Sequence, residues 1–146
     1  MVIKIEIYEL LKAYSMQKKC FKPIYEKYYD ETSPCKESFA KFVSRTKKSS
    51  FQMYWIIHNS TKVGQIWIAT KNDTAILARL FVLPKYQNKG YATKAIIDIE
   101  KLYSNYKHWQ LDTIKEEKKN VHLYQKLGYK PCLLYTSDAA DEEDSV

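Results

Sequence analysis

The chain has 146 residues, 45% of them apolar, and a formal net charge of +7. That is the size of one domain with material for a proper core. No stretch is long and apolar enough to span a membrane, and residues 1–6 lack the apolar core of a signal peptide, so a cytoplasmic protein is expected. Cys20, Cys35 and Cys132 are odd in number and widely spaced, with no Cys-x-x-Cys pair or histidine cluster, which argues for free thiols rather than a disulfide frame or a metal site. All 24 Lys and Arg lie at or before Lys130 while five of the 17 acids follow it, so residues 1–130 carry +12. A body this basic attracts polyanions, whether phosphorylated cofactors or nucleic acid.

In chain order, Ile3, Ile5 and Ile7 alternate with Lys4, Glu6 and Tyr8, the period of a half-buried strand. From Glu9 the pattern becomes helical, with Leu11, Tyr14, Phe21, Tyr25 and Tyr28 near one face and a break or kink expected at Lys22, before Pro23. A second helix is expected to start at Ser33 and Pro34, as cap and first turn, and to run through Phe39, Phe42 and Val43. Residues 51–58 and 63–69 read as strands joined by a polar turn, and a second turn at 71–73 leads to a third strand over 74–83. Three consecutive antiparallel strands result.

The stretch that follows carries the chemistry. Pro84 ends the strand because it has no N–H to give the sheet. Gln87-Asn88-Lys89-Gly90 is polar and closes on a glycine able to take positive φ, and the helical spacing of Ala92, Ala95, Ile96 and Ile99 begins directly after it. Main-chain N–H groups therefore converge at a helix N-terminus, where the helix dipole adds partial positive charge, a geometry suited to a pyrophosphate-like anion. Residues 109–114 form a further strand, parallel to its predecessor by a right-handed crossover through the helix. The polar linker 115–119 enters a last helix over 120–127 that stops at Gly128. Residues 138–146 are acidic and rich in small residues, without strand alternation; they resemble translated adapter sequence and are expected to be non-native and disordered, with Cys132 to Thr136 able to add one short strand.

Val82-x-Pro84-x-Tyr86-Gln87-x-Lys89-Gly90-Tyr91-Ala92 resembles motif A of the GNAT (Gcn5-related N-acetyltransferase) superfamily, and Leu123-Tyr124-Gln125-Lys126-Leu127-Gly128-Tyr129 resembles its motif B. The resemblance covers residues 3–131 and implies an α/β (α+β) fold with a mixed central sheet in β-α-α-β-β-β-α-β-α-β order, its last strand missing or non-native. One domain is expected over 1–131, with 132–146 as tail.

In that family the two parallel strands splay apart and the acyl-CoA thioester lies in the opening. The resemblance implies an N-acetyltransferase that moves an acetyl group from acetyl-CoA to a primary amine in a ternary complex, with no metal. It puts the pyrophosphate on Gln87, Asn88, Lys89, Gly90, Tyr91 and Ala92, with Lys94 adding charge, and the thioester beside the main chain of Phe81, Val82 and Leu83. Tyr124 matches the general-acid position: a phenol with a pKa of about 10 stays protonated at neutral pH and can donate to a departing thiolate. Its alternative role is aromatic packing beside Val121 and Leu127. Glu117 stands where many relatives have a pantetheine-contacting Asn.

The base is the weak point. Residues 74–83 contain Arg79 and no carboxylate, which leaves Asp112, Glu116, Glu117 and His58 as candidates that surface charge explains equally well. Two other readings stay open: a basic nucleic-acid-binding module, against which the core spacing of the tyrosines argues, and a GNAT-like domain that binds CoA without catalysis. Expected partners are acetyl-CoA and an amine acceptor, with no membrane, and a homodimer is left open.

Overall fold

A computed structural model describes residues 1–29 and 33–111. The last helix, motif B and the tail lie outside the described residues. Within them, five strands form one mixed sheet in the order β1 (Val2–Lys4), β2 (Phe51–His58), β3 (Thr61–Lys71), β4 (Thr74–Val82) and β5 (His108–Leu111). The first four are antiparallel neighbours, and β5 joins β4 in parallel, as the crossover predicts. Two tight turns fold the hairpins: Asn59 and Ser60 both adopt positive φ between β2 and β3, and Asn72 does so between β3 and β4, conformations that asparagine tolerates well.

Helices cover both faces. On one, α3 (Tyr91–Leu102) packs Ala95, Ile96 and Ile99 onto Tyr54, Ile56, Ile66, Ile68, Leu80 and Val82. On the other, α1 (Leu10–Tyr28) and α2 (Phe39–Arg45) close over Met53, Trp55, Trp67 and Phe81. The alternation along β2 and β3 assigns successive residues to opposite cores, and each large side chain buried this way contributes roughly 1.5–3 kcal/mol.

Several local expectations change. The first strand ends at Lys4, and Ile7 lies in a 3-10 turn, 82% exposed, because the chain has already left the sheet to enter α1. Pro23 does not break α1, which runs unbroken to Tyr28. Lys19, Lys22 and Pro23 are all exposed, so the Lys19 carbonyl that loses its N–H partner faces water, which removes most of the cost. The buried stripe is also turned: Leu11 is 64% exposed, while Leu10, Ala13, Gln17, Cys20 and Phe21 face the sheet. Ser33 does cap the next segment, accepting a hydrogen bond from Cys35 N, but that segment is a 3-10 turn (Pro34–Lys36), and α2 starts afresh with Ser38 as its cap.

Polar groups fix α1 to the sheet at one-turn intervals. Gln65 Nε2 donates to Ala13 O at 2.9 Å, Arg79 Nη1 donates to Gln17 Oε1 at 2.7 Å, and Phe21 meets Phe81 edge-on at 5.2 Å. Gln17 in turn donates to Glu37 Oε1 (3.0 Å) and Pro34 O (3.1 Å), and Tyr14 OH donates to Glu37 O (2.6 Å). The Glu37 carboxylate, 5% exposed, also takes two hydrogen bonds from Arg45 and lies 3.7 Å from Arg79 Nη1. Burial alone would raise its pKa; Arg45, Gln17 and Arg79 outweigh that and hold it below the ordinary carboxylate range.

Gly64 lets β3 and β4 approach closely. A Cβ there would press on the Phe81 carbonyl oxygen and sit 2.9 Å from Val82 Cα.

Two outcomes follow from this packing. Gly64→Ala should lower unfolding stability by about 1–3 kcal/mol in a urea titration, since β4 must shift or the core must strain; unchanged stability would mean the strands part freely. Glu37→Gln should cost about 3–5 kcal/mol, because it removes the carboxylate charge that Arg45 and Arg79 face in a partly buried cluster. Since Glu37 titrates below its unfolded value, its stabilisation is complete above the ordinary carboxylate pKa and is lost as pH falls through the lowered one. Circular dichroism against pH should therefore show an acid limb in the parent that is reduced in Glu37→Gln.

Candidate functional site

The strand that leads to the anion loop is irregular where it matters. Between Trp67 paired with Arg79 and Ile68 paired with Leu77, Ala78 is an extra residue, a bulge that puts Leu77 and Leu80 on the same face three positions apart. β5 pairs with Thr74 to Leu77, and from Ala78 to Val82 the strand has no β5 partner among the described residues.

Beyond it, orientation follows from ladder alternation. Leu83 N donates to Val63 O at 2.8 Å, so the neighbouring pair Gly64 and Val82 is a non-hydrogen-bonded one, and both peptide groups of Val82 face away from β3. The Val82 carbonyl accepts from Gln87 Nε2 at 3.0 Å, which agrees with that orientation and ties the loop back to the strand. Val82 N–H thus points away from β3, toward the β5 side of the sheet. Of the three residues expected to lie beside a thioester, only Val82 turns its amide away from β3; Leu83 N is committed to β3, and Phe81 N faces β3 by the same alternation.

The loop itself gathers donors. A 3-10 turn (Pro84–Tyr86) uses the amides of Tyr86 and Gln87, and the first bond of α3 is Lys94 N to Gly90 O. The N–H groups of residues 88–93 have no backbone acceptor among the described residues, and no side chain caps the helix. Asn88 and Gly90 adopt positive φ (62° and 84°), which turns successive amides inward, and Gly90 has open space where a Cβ would stand. Lys89 and Lys94 are exposed beside it. Six amides at a helix N-terminus without a backbone acceptor among the described residues, flanked by two lysines, suit a phosphate-class anion, and coenzyme A carries one. Ala92 is half-buried against the α3 core, leaving the turn narrow, and Tyr91 lies between His58 (4.6 Å between rings) and Tyr86 (6.4 Å).

The remaining candidates separate. His58 ends β2, two strands away from β4, within 3.2 Å of Asn59 Nδ2 and stacked on Tyr91, so it is not brought to Val82. Asp112, Glu116, Glu117 and Tyr124 lie outside the described residues. Arg79 joins the buried Glu37 cluster and packs on Trp67 at 4.5 Å. That cluster, with Gln17, was not visible in the sequence as a unit; the lone charge in an apolar strand was its only signal. Among the described residues, no group of three His, Cys, Asp or Glu could hold a metal ion, and no helix is long and apolar enough to cross a membrane.

Comparisons with known proteins point the same way. Residues 7–129 match the model of the acetyltransferase (GNAT) family. No curated protein matches the chain. Among solved structures, the PaiA N-acetyltransferase of Thermoplasma acidophilum, in complex with coenzyme A, is similar with a TM-score of 0.72 at 19% identity over 89% of each chain. The ribosomal-protein-S18-alanine N-acetyltransferase of Escherichia coli gives 0.71 at 16% identity, over 89% of this chain and 77% of that one. The spermidine N-acetyltransferase of Vibrio cholerae, with CoA and spermine, gives 0.68 at 18% identity, over 89% and 80%. At these identities the structural likeness establishes the fold; together with the family match across most of the sequence, it places this chain in the acetyltransferase (GNAT) family of acyl-transferring enzymes.

Proposed function

We propose that the protein transfers an acetyl group from acetyl-CoA to a primary amine, by direct attack while both substrates are bound. The observation that supports this reading is the pair of main-chain features at the end of β4: the amides of residues 88–93, which have no backbone acceptor among the described residues, and the Val82 N–H turned away from β3. The first can hold the pyrophosphate and the second can polarise a carbonyl, so one strand end provides both a grip and an electrophilic donor. Acetyl-CoA supplies the activated thioester when bound.

Each residue then has a defined task. Gln87 holds the Val82 peptide in place through its carbonyl, Gly90 opens the turn, and Lys89 and Lys94 add positive charge at the rim. A single aimed main-chain donor of the Val82 kind typically accounts for about 10²–10³ in rate. In this reading Tyr124 gives its phenolic proton to the leaving sulfur. A covalent acyl-enzyme is not part of it: Cys20 is buried in the α1 core, and burial pushes its thiol up to about 12, far from a nucleophilic thiolate.

The reading is tested with the purified chain in two steps. Acetyl-CoA at about 100 times its Kd should raise unfolding stability by roughly 2.7 kcal/mol. Thiol release on a panel of amines should then show turnover, and Tyr124→Phe should lose about 10²–10⁴ of it while keeping the acetyl-CoA stabilisation. Absence of any stabilisation by acetyl-CoA, together with salt-sensitive RNA or DNA binding, would favour the nucleic-acid reading instead; stabilisation without turnover on any amine would favour a non-catalytic domain.

A further inference from the structure

Two contacts from α1 fall on the end of β4 that carries Val82. Gln17 Oε1 accepts a hydrogen bond from Arg79 Nη1 at 2.7 Å, and one turn later Phe21 meets Phe81 edge-on at 5.2 Å. Arg79 and Phe81 stand on the α1 face of β4, opposite Trp67 and Gln65 of β3. The peptide that bears the Val82 N–H joins directly onto Phe81. Arg79 follows the Ala78 bulge, where the β3–β4 register shifts and a strand is free to change its twist. The side chain at 79 is therefore the first hold on the strand after that irregularity.

Gln17 is fully buried, and its amide uses both donors and its acceptor. Nε2 donates to Pro34 O at 3.1 Å and to Glu37 Oε1 at 3.0 Å, while Oε1 takes the bond from Arg79. One planar group thus joins α1, the segment that leads into α2, and β4. Arg79 is also held by the Trp67 ring at 4.5 Å and by Glu37 Oε1 at 3.7 Å. A buried amide of this kind adds little net stability over an apolar side chain of the same shape; what it adds is direction, because its donors and acceptor lie at fixed angles in one plane.

We propose that Gln17 is a positioning residue: through Arg79 it fixes the course of β4 beyond the bulge, and with it the place of the Val82 N–H relative to the thioester carbonyl, a role that rests on the acetyltransferase reading above. A main-chain donor polarises a carbonyl only from hydrogen-bond distance of its oxygen, and a misplacement of about 1 Å costs on the order of 10² in rate. The grip on the anion is separate. The amides of residues 88–93 belong to the loop and the first turn of α3, which packs on the opposite face of the sheet with Leu80 and Val82. Loss of the Gln17 amide therefore disturbs the polarised carbonyl and spares donor binding.

The test needs no acceptor. Acetyl-CoA carrying an isotope label at the thioester carbonyl is bound to the full chain, and difference infrared spectroscopy reads the carbonyl stretch, which a hydrogen bond moves to lower frequency. In the parent the bound stretch should lie below its value in water. Gln17→Met should lose most of that shift while its calorimetric Kd for acetyl-CoA stays unchanged. Arg79→Met removes the same bond from the β4 side, among the apolar rings of Phe21 and Trp67, and should behave alike; it decides the matter if Gln17→Met does not fold. Tyr14→Phe is the structural control: it deletes the Tyr14 bond to Glu37 O in the same cluster, keeps the ring contacts with Phe39 and Phe42, and should keep the full shift. A full shift in folded Gln17→Met or Arg79→Met would overturn the proposal, as would an equal loss in Tyr14→Phe, which would reveal general loosening. A parent that binds acetyl-CoA without any shift, or does not bind it, would instead remove the reading on which the proposal stands.

Discussion

One main-chain hydrogen bond, Leu83 N to Val63 O, decides how the end of β4 presents its peptide groups. Because antiparallel pairing alternates, that bond turns both polar groups of Val82 away from β3. Everything around it serves to keep that arrangement. The Ala78 bulge shifts the β3–β4 register, Gly64 allows the close approach that holds Val82 against β3, and Gln87 takes up the Val82 carbonyl. Among the described residues, the Val82 amide and the loop amides that follow it have no backbone acceptor.

The two faces of the sheet have different work. The α3 side is apolar and electrically balanced, and its rigid packing of Ala95, Ile96 and Ile99 fixes the helix N-terminus relative to Val82. The α1 side is held by polar bonds from Gln65, Arg79 and Gln17 that recur at one helical turn. Buried ion pairs of the Glu37 kind contribute little net stability compared with apolar packing, but removing one member is costly, so they act mainly to specify which way neighbouring elements dock. In this protein they lock the α1 wall to the same strand that bears the candidate donor.

Strand order, the two hairpins and the connection from β4 into α3 were legible in the sequence because period-two alternation, Asn-rich turns and a single glycine before a helical run each have one dominant physical explanation. The α1 surface was misassigned for an equally physical reason. Its buried stripe uses Ala13 and Gln17, one small and one polar, whose burial depends on hydrogen bonds to Gln65 and Arg79 that no local pattern announces, while Leu11 is apolar and faces solvent. Pro23 was read as a break because the rule weighs the lost hydrogen bond and not whether the freed carbonyl can reach water. The direction of the Val82 amide was out of reach as well, since it depends on pairing parity between strands and on a bulge that leaves no signature in residue type.

The central claim is that main-chain amides at the end of β4 and the start of α3 hold the acetyl donor. It is tested most directly by following backbone amide resonances in two-dimensional NMR as coenzyme A is added. The account predicts that the largest changes fall on Val82 and residues 88–93, with little change at β1 and the groove lined by Ile5, Leu10 and Met53 on the other side of the sheet. Saturable changes centred on that groove, with the amides of residues 88–93 unmoved, would contradict it.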